Sequence, residues 1–211
     1  FLKTLDPVEI SSGFGEIIKM AIVKDLKLFK LLQEYGKEIF DTKFNGTNTS
    51  VADEVINLSI KGMKDELQEN LWEKNLERYV DFGHSFCPIP EMRSLEDDTV
   101  ESLTHGQAVT LDVIFSSIIS YNRGFLSEQD IIDIFKVTSS LNLDTFHPYF
   151  GRPNLLLEAL NDTIKHRNGD QNLPIPISIG ESIFINDCTF EEITKVCSLH
   201  EDFHNKYGHK V

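Results

Sequence analysis

In the segment VDFGHSFCPIPEM, Val80 to Met92, a histidine directly follows a glycine, which lets the backbone turn tightly and aims the next side chain inward. Alone, His84 reads more simply as a hydrogen-bonded loop residue. His105, in LTHGQAV, stands at the mouth of an apolar helix, where a charged imidazolium is disfavoured and a neutral, metal-binding imidazole is tolerated. Glu16 and Lys19, three apart in SGFGEIIK, share one helix face opposite Phe14, Ile17 and Ala21; alone they read as a solvated ion pair of small value. One carboxylate and two imidazoles on separate elements nevertheless make a ligand set suited to zinc, with positions left for a water or a substrate.

Two other clusters compete for attention. His200, His204 and His209 lie in HEDFHNKYGHK, and the string HEDFH formally matches the HExxH motif of zinc proteases. It stands at a polar chain end with little apolar support after it, so a frayed, solvated helix is the expectation. IKHRNGDQNLP gathers Lys165, His166 and Arg167 in an otherwise acidic protein. Such a group could cradle a phosphate or the hydroxyls of a polyol, or be only a basic helix C-terminus favoured by the dipole.

The chain carries 20 Lys plus Arg against 34 Asp plus Glu, a formal net charge of -14. A nucleic acid or an anionic membrane is repelled by that balance, and an anionic small molecule needs local cations or a metal. Three cysteines without a CxxC spacing indicate neither a disulfide framework nor a zinc ribbon and suit a reducing cytosol. No apolar run approaches the ~20 residues of a membrane span, and the first residues lack a signal-peptide pattern, so a soluble, cytoplasmic protein is expected. The opening FLKTLDPVEI has no Met and reads as a linker, the start of a piece of something longer.

Apolar periodicity predicts a helix from Ser12 to about Tyr35, broken near Asp25 and ended by Gly36; a polar loop over 41–50; and a second helix over 51–67. The segment with His84 reads as turn and loop. Glu101 to Tyr121 reads as a buried central helix, Ser127/Asp130 and Thr189/Glu192 as capping boxes opening two more, and Pro153 to about His166 as another. Residues 173–187 form the one strand-like stretch, confined by its prolines to an edge or a short hairpin. The chain is thus mainly α with a minor β-hairpin, and it offers no dinucleotide-binding βαβ unit.

SGFGEIIKMAIVKD, NLWEKNLERYVDFGHSFCP, LTHGQAVTLDV and HRNGDQNLPIPISIG resemble, in order and spacing, the C-terminal domain of the sugar phosphate cyclases, the superfamily of 3-dehydroquinate synthase. The resemblance covers essentially all of residues 1–211. It implies a helical metal-binding domain of the dehydroquinate synthase-like fold, with the family's N-terminal NAD-binding domain absent from this chain. It also implies Zn2+ or Co2+ on Glu16, His84 and His105, NAD+ as cofactor, and a homodimer in the full-length form.

Asp81 and Pro88, where dehydroquinate synthases usually carry an asparagine and a second histidine, resemble the 2-epi-5-epi-valiolone synthase branch, as do NLWE and HRNG. That branch implies sedoheptulose 7-phosphate as substrate. The reaction is transient oxidation of a secondary alcohol, phosphate elimination, reduction, ring opening and aldol closure. Lys19 and Lys61 would contact the substrate, and Asp81 and His166 would favour a neutral polyol over a carboxylate-bearing one. Gln107 replaces the Glu that often follows the HG pair, and Arg78 is one position out of register with the family's arginine. The competing readings are 3-dehydroquinate formation, a metal-binding protein or fragment of this fold without turnover, and a helical metal hydrolase unrelated to cyclases.

Overall fold

The first long helical stretch resolves into two helices with a single residue between them. α1 (Pro7–Lys24) and α2 (Leu26–Asp41) are separated by Asp25, whose backbone is extended at φ -139 and ψ 92. Asp25 closes α1 by giving its N–H to the Ala21 carbonyl, and its side chain opens α2 by accepting the Leu28 N–H at 2.9 Å. The break expected near Asp25 is therefore present. Gly36 does not end the run; it lies inside α2, where a Cβ would come within 3.2 Å of the Leu141 side chain packed over it.

A computed structural model describes residues 1–208, and among these the chain forms eight α-helices, three 3-10 turns and one two-stranded sheet. α3 (Thr49–Glu69) buries only Ala52 and Val55 fully. α4 (Pro88–Ser94) occupies part of the segment expected as loop, because Pro88 falls in its first turn, where proline's fixed φ suits a helix and its missing N–H costs nothing. α5 (His105–Asn122) starts four residues later than the expected Glu101. Thr104 is its cap, accepting the Gln107 N–H while Gln107 Oε1 accepts the Thr104 N–H at 2.9 Å.

The full capping box of Ser127 and Asp130 opens α6 (Glu128–Ser140), and α7 (Pro153–His166) follows a 3-10 turn at Pro148–Gly151. β1 (Leu173–Ser178) pairs antiparallel with β2 (Glu181–Ile185). Only half a capping box opens α8 (Phe190–Tyr207): Thr189 accepts the Glu192 N–H, but the Glu192 carboxylate is taken by Arg123.

α5 is the centre of the fold, buried from Gly106 to Ser120 except at Gln107, and packed against α1, α4, α6, α8 and β1. Phe14, Phe86, Phe115, Phe135 and Phe150 are fully buried around it. Each such side chain contributes about 1.5–3 kcal/mol of burial. The hairpin also finishes α1: Gly180 at its tip (φ +94) gives its N–H to the Ile22 carbonyl at 2.8 Å, and the Ser182 hydroxyl bonds the Val23 carbonyl at 3.0 Å. These two carbonyls lie in the last turn of α1 and lack partners within the helix.

Candidate metal centre

α1 and α5 cross with their backbones in contact. A Cβ on Gly106 would lie 2.5 Å from the Ser12 carbonyl carbon and nearer still to its oxygen, and one on Gly15 would lie 2.9 Å from the Gly106 carbonyl carbon. The Gly106 N–H bonds the Ser12 hydroxyl at 3.1 Å, and Thr110 Oγ1 bonds the Gly106 carbonyl at 2.7 Å. Each glycine adjoins a predicted ligand in sequence, so the crossing sets Glu16 beside His105.

His84 arrives from a third direction. A 3-10 turn at Tyr79–Asp81 leads into Gly83, whose φ of +80 and proximity to Val109 and Val113 leave no room for a side chain. The loop that follows is held by Asp112 of α5, which sequence reading did not single out. Its Oδ2 accepts the consecutive N–H groups of Ser85, Phe86 and Cys87 at 2.8, 2.6 and 2.9 Å, and its Oδ1 accepts the Ser116 hydroxyl at 3.0 Å. Burial pushes the Asp112 carboxyl up, and those donors oppose the shift by favouring the charged form. Asp112 is the only acidic residue between Gly106 and Asn122, the signal by which it could have been found.

The three predicted ligands converge. Glu16 Oε1 lies 3.5 Å from His84 Nε2 and 3.5 Å from His105 Nε2, and the three donor atoms all fall within 4.8 Å of one another. Ligands about 2.0–2.1 Å from a tetrahedral zinc sit about 3.3 Å apart, so the donor set and the two distances from Glu16 fit that ion. Both imidazoles are turned the same way. His84 Nδ1 faces the Phe82 carbonyl at 3.2 Å and His105 Nδ1 faces Glu91 at 3.0 Å, which directs each Nε2 lone pair toward Glu16.

The other Glu16 oxygen pairs with Lys19 at 2.6 Å. Burial would raise the Glu16 carboxyl, but the Lys19 charge and hydrogen bond, with the two imidazoles, hold it below its ordinary value. Burial first, and Lys19 second, lower His84 against the pull of Glu16, which favours the neutral ring that can bind a metal.

The remaining predicted residues fall in different places. Lys19 is not solvated as a simple ion pair would be; it is 2% exposed and donates to the Val80 carbonyl at 3.1 Å. Asp81 is buried between two guanidinium groups, taking Arg78 Nη2 at 2.8 Å and Nε at 3.1 Å, with Arg167 Nε at 3.5 Å. Of the basic trio, Arg167 points inward, donating to the Gln171 and Asn172 carbonyls and the Ser85 hydroxyl.

His166 ends α7 with its side chain 80% exposed, 3.8 Å from Asp162. Lys61 is exposed on α3, outside the apolar groove of about 730 Å³ in which Glu16, Met20, Met63 and Lys64 take part. No hydrogen bond or ion pair is seen between Lys61 or His166 and the ligand cluster among the described residues, and Gln107 is turned back onto its own cap.

The rival histidines belong to the core. His200 is fully buried, bonded through Nε2 to the Thr145 carbonyl at 2.7 Å and ringed by Phe115, Phe135, Phe146 and Phe150. His204 meets Thr145 Oγ1 at 2.8 Å, and α8 runs on to Tyr207, so neither a frayed end nor a zinc pair is seen. His209 lies outside the described residues. Among the described residues, Glu16, His84 and His105 form the one cluster of this kind, and no helix is long and apolar enough to cross a membrane.

The 2-epi-5-epi-valiolone synthase of Streptomyces albus is 43% identical over 96% of this chain and 48% of its own length, and that of Actinoplanes sp. is 41% identical over 92% and 48%. The solved structure of the 2-epi-5-epi-valiolone synthase ValA from Streptomyces hygroscopicus subsp. jinggangensis 5008, with NAD+ and Zn2+ bound, superposes with a TM-score of 0.88 at 39% identity, covering 95% of this chain and 53% of that one. A 2-deoxy-scyllo-inosose synthase shares the fold at 16% identity and a TM-score of 0.64. The chain spans about half the length of the curated relatives it matches. Residues 13–166 match the family described as 3-dehydroquinate synthase C-terminal. The chain therefore belongs to that family, with the helical dehydroquinate synthase-like fold that its motifs imply.

Proposed function

We propose that this chain is the metal-binding half of a sugar phosphate cyclase of the 2-epi-5-epi-valiolone type. It would act on sedoheptulose 7-phosphate, with release of phosphate, through transient oxidation, elimination, reduction and intramolecular aldol closure. The convergence of Glu16 Oε1 on His84 Nε2 and His105 Nε2, each at 3.5 Å, carries the reading, and the likeness to valiolone synthases supports the choice of branch. A zinc or cobalt ion on these three residues would supply Lewis acidity toward the substrate hydroxyls, and NAD+ would supply reversible hydride exchange.

This chain's own contribution is to position groups. Glu16 and the two imidazoles present three donors and leave a side open for hydroxyls. Lys19, fixed by Glu16 and the Val80 carbonyl, keeps an ammonium beside the site that can donate to a substrate oxygen. Asp81 would act with Arg78 and Arg167 as a unit shaping the polyol end of the pocket. Lys61 and His166 are assigned to substrate contact by the resemblance alone.

The test begins with the zinc content of the purified chain beside a His84→Ala, His105→Ala double variant. A single zinc per chain, lost in the variant, is expected. Turnover of sedoheptulose 7-phosphate with NAD+ is then sought in a protein that also carries the other half of a valiolone synthase. A folded wild-type chain without zinc would remove the metal reading, and zinc without any turnover in the complete protein would leave a binding protein of this fold.

A further inference from the structure

The two ligand histidines are oriented by unlike partners. His84 is half-buried, and its Nδ1 is met by a carbonyl of its own loop, that of Phe82. His105 is 54% exposed in its side chain, and its Nδ1 meets a carboxylate from another helix, Glu91 Oε2, at 3.0 Å. A free imidazole on a helix N-terminus can rotate and exchange tautomers. Something must hold it, and Glu91 is the group in place.

Glu91 is itself well supported. The Arg93 guanidinium spans both oxygens of Glu158 on α7 at 2.7 Å each, the Ser94 hydroxyl donates to the Glu91 carbonyl at 2.8 Å, and the Leu103 N–H donates to that hydroxyl at 2.9 Å. The Glu91 N–H bonds the carbonyl of Cys87 at 2.9 Å, the last residue of the loop that Asp112 clamps. The segment that delivers His84 at one end therefore delivers the partner of His105 at the other.

We propose that Glu91 is the positioning residue of the metal centre: it accepts the Nδ1–H of His105, fixes the tautomer whose Nε2 lone pair faces Glu16, and makes that nitrogen a stronger ligand. The inference rests on the metal reading above. A carboxylate behind a metal-bound histidine sets ring orientation and basicity, and its loss typically weakens metal binding about 10–100-fold. A mere surface ion pair would contribute little to anything.

The test measures zinc affinity of the chain by chelator competition for wild type, E91A and E91Q, and the ring nitrogens of His105 by long-range 1H–15N NMR on the metal-free chain. E91A is expected to bind zinc about 10–100-fold more weakly, with His105 shifted away from the Nδ1–H tautomer. E91Q should recover part of both, since its amide oxygen still accepts. Unchanged affinity in E91A, or a weakened affinity with the His105 tautomer unaltered, would overturn the proposal. If E91A does not fold, E91L, which also offers no acceptor, decides, and wild-type behaviour in both readouts overturns the proposal. A wild-type chain that takes up no zinc is a separate result, against the metal reading itself.

Discussion

Replacing Gly106 by alanine should damage the metal centre through the backbone alone. The added Cβ would sit 2.5 Å from the Ser12 carbonyl carbon and 2.6 Å from Ser12 Cα, where carbon atoms normally approach no closer than about 3.5 Å. The obstacle is helix backbone and cannot rotate aside, so α1 and α5 must part by about 1 Å at the crossing. Overpacking of this kind costs about 1–3 kcal/mol, and with a rigid partner the upper end is expected.

The same shift separates Glu16 from His105, now 3.5 Å apart, by several times the roughly 0.2 Å that a metal site tolerates. Urea denaturation of the metal-free chain should show a loss of about 3 kcal/mol, and chelator competition a zinc affinity lower by on the order of 100-fold. Gly13 supplies the control within the same two-helix unit. A Cβ there meets nothing within 4 Å, so Gly13→Ala should stabilise by about 0.5–1 kcal/mol and leave zinc binding alone. Wild-type stability and zinc affinity in G106A, or equal damage in G13A, would refute the argument from the crossing.

Asp112→Ala removes the acceptor of three consecutive buried N–H groups, each costing about 1–3 kcal/mol when unpaired, so a loss of at least about 3 kcal/mol is expected in denaturant titration, together with weaker zinc binding. Asp81→Asn leaves the buried Arg167 without its counter-charge and should cost about 3–5 kcal/mol; a substitution without effect on the melting curve would show that Asp81 is not structural. Burial lowers His200 from 6.5 to about 4, so its contribution is complete above pH 6.5 and is lost as pH falls toward 4, when the unfolded chain takes up a proton that the folded one refuses. The loss is on the order of 3 kcal/mol, and urea midpoints measured from pH 7 to pH 4 should fall more steeply in wild type than in His200→Phe; parallel slopes would sink this reading.

The candidate ligands could be picked out of the sequence only as a set, because each alone reads as structural while one carboxylate and two imidazoles together suit zinc. What escaped were features made by distant contacts. Lys19 lies off the apolar stripe of Phe14, Ile17 and Ala21, yet it is buried because the turn at Tyr79–Asp81 folds over it and Val80 accepts its proton. His200 looked like part of a polar end, but four phenylalanines from α5, α6 and the 146–150 segment close around it. α4 was hidden by two prolines that read as loop; one of them starts the helix. The candidate cluster was thus readable from chemistry, and the residues that hold it in place were not, since Glu91 and Asp112 act through partners 14 and at least 25 positions away.

The buried charges beneath the site explain why such residues are spread through the chain. Arg78 and Arg167 share Asp81, Arg167 reaches the Ser85 hydroxyl, and the Ser85 N–H ends on Asp112. Desolvating ions costs several kcal/mol each, so this layer is retained only because its donors and acceptors are matched, and it adds little net stability beside an apolar filling of equal volume. Its return is geometric: each side chain has one arrangement that satisfies it, and the loop carrying His84 inherits that fixity.

The layer also changes what Asp81 can do for specificity. Both of its oxygens are engaged by guanidinium groups, so its charge is compensated locally and a substrate carboxylate would not meet a bare anion. Repulsion by Asp81 alone is therefore a weak filter. On the reading proposed above, discrimination between a neutral polyol and a carboxylate-bearing substrate would then have to come from groups other than Asp81.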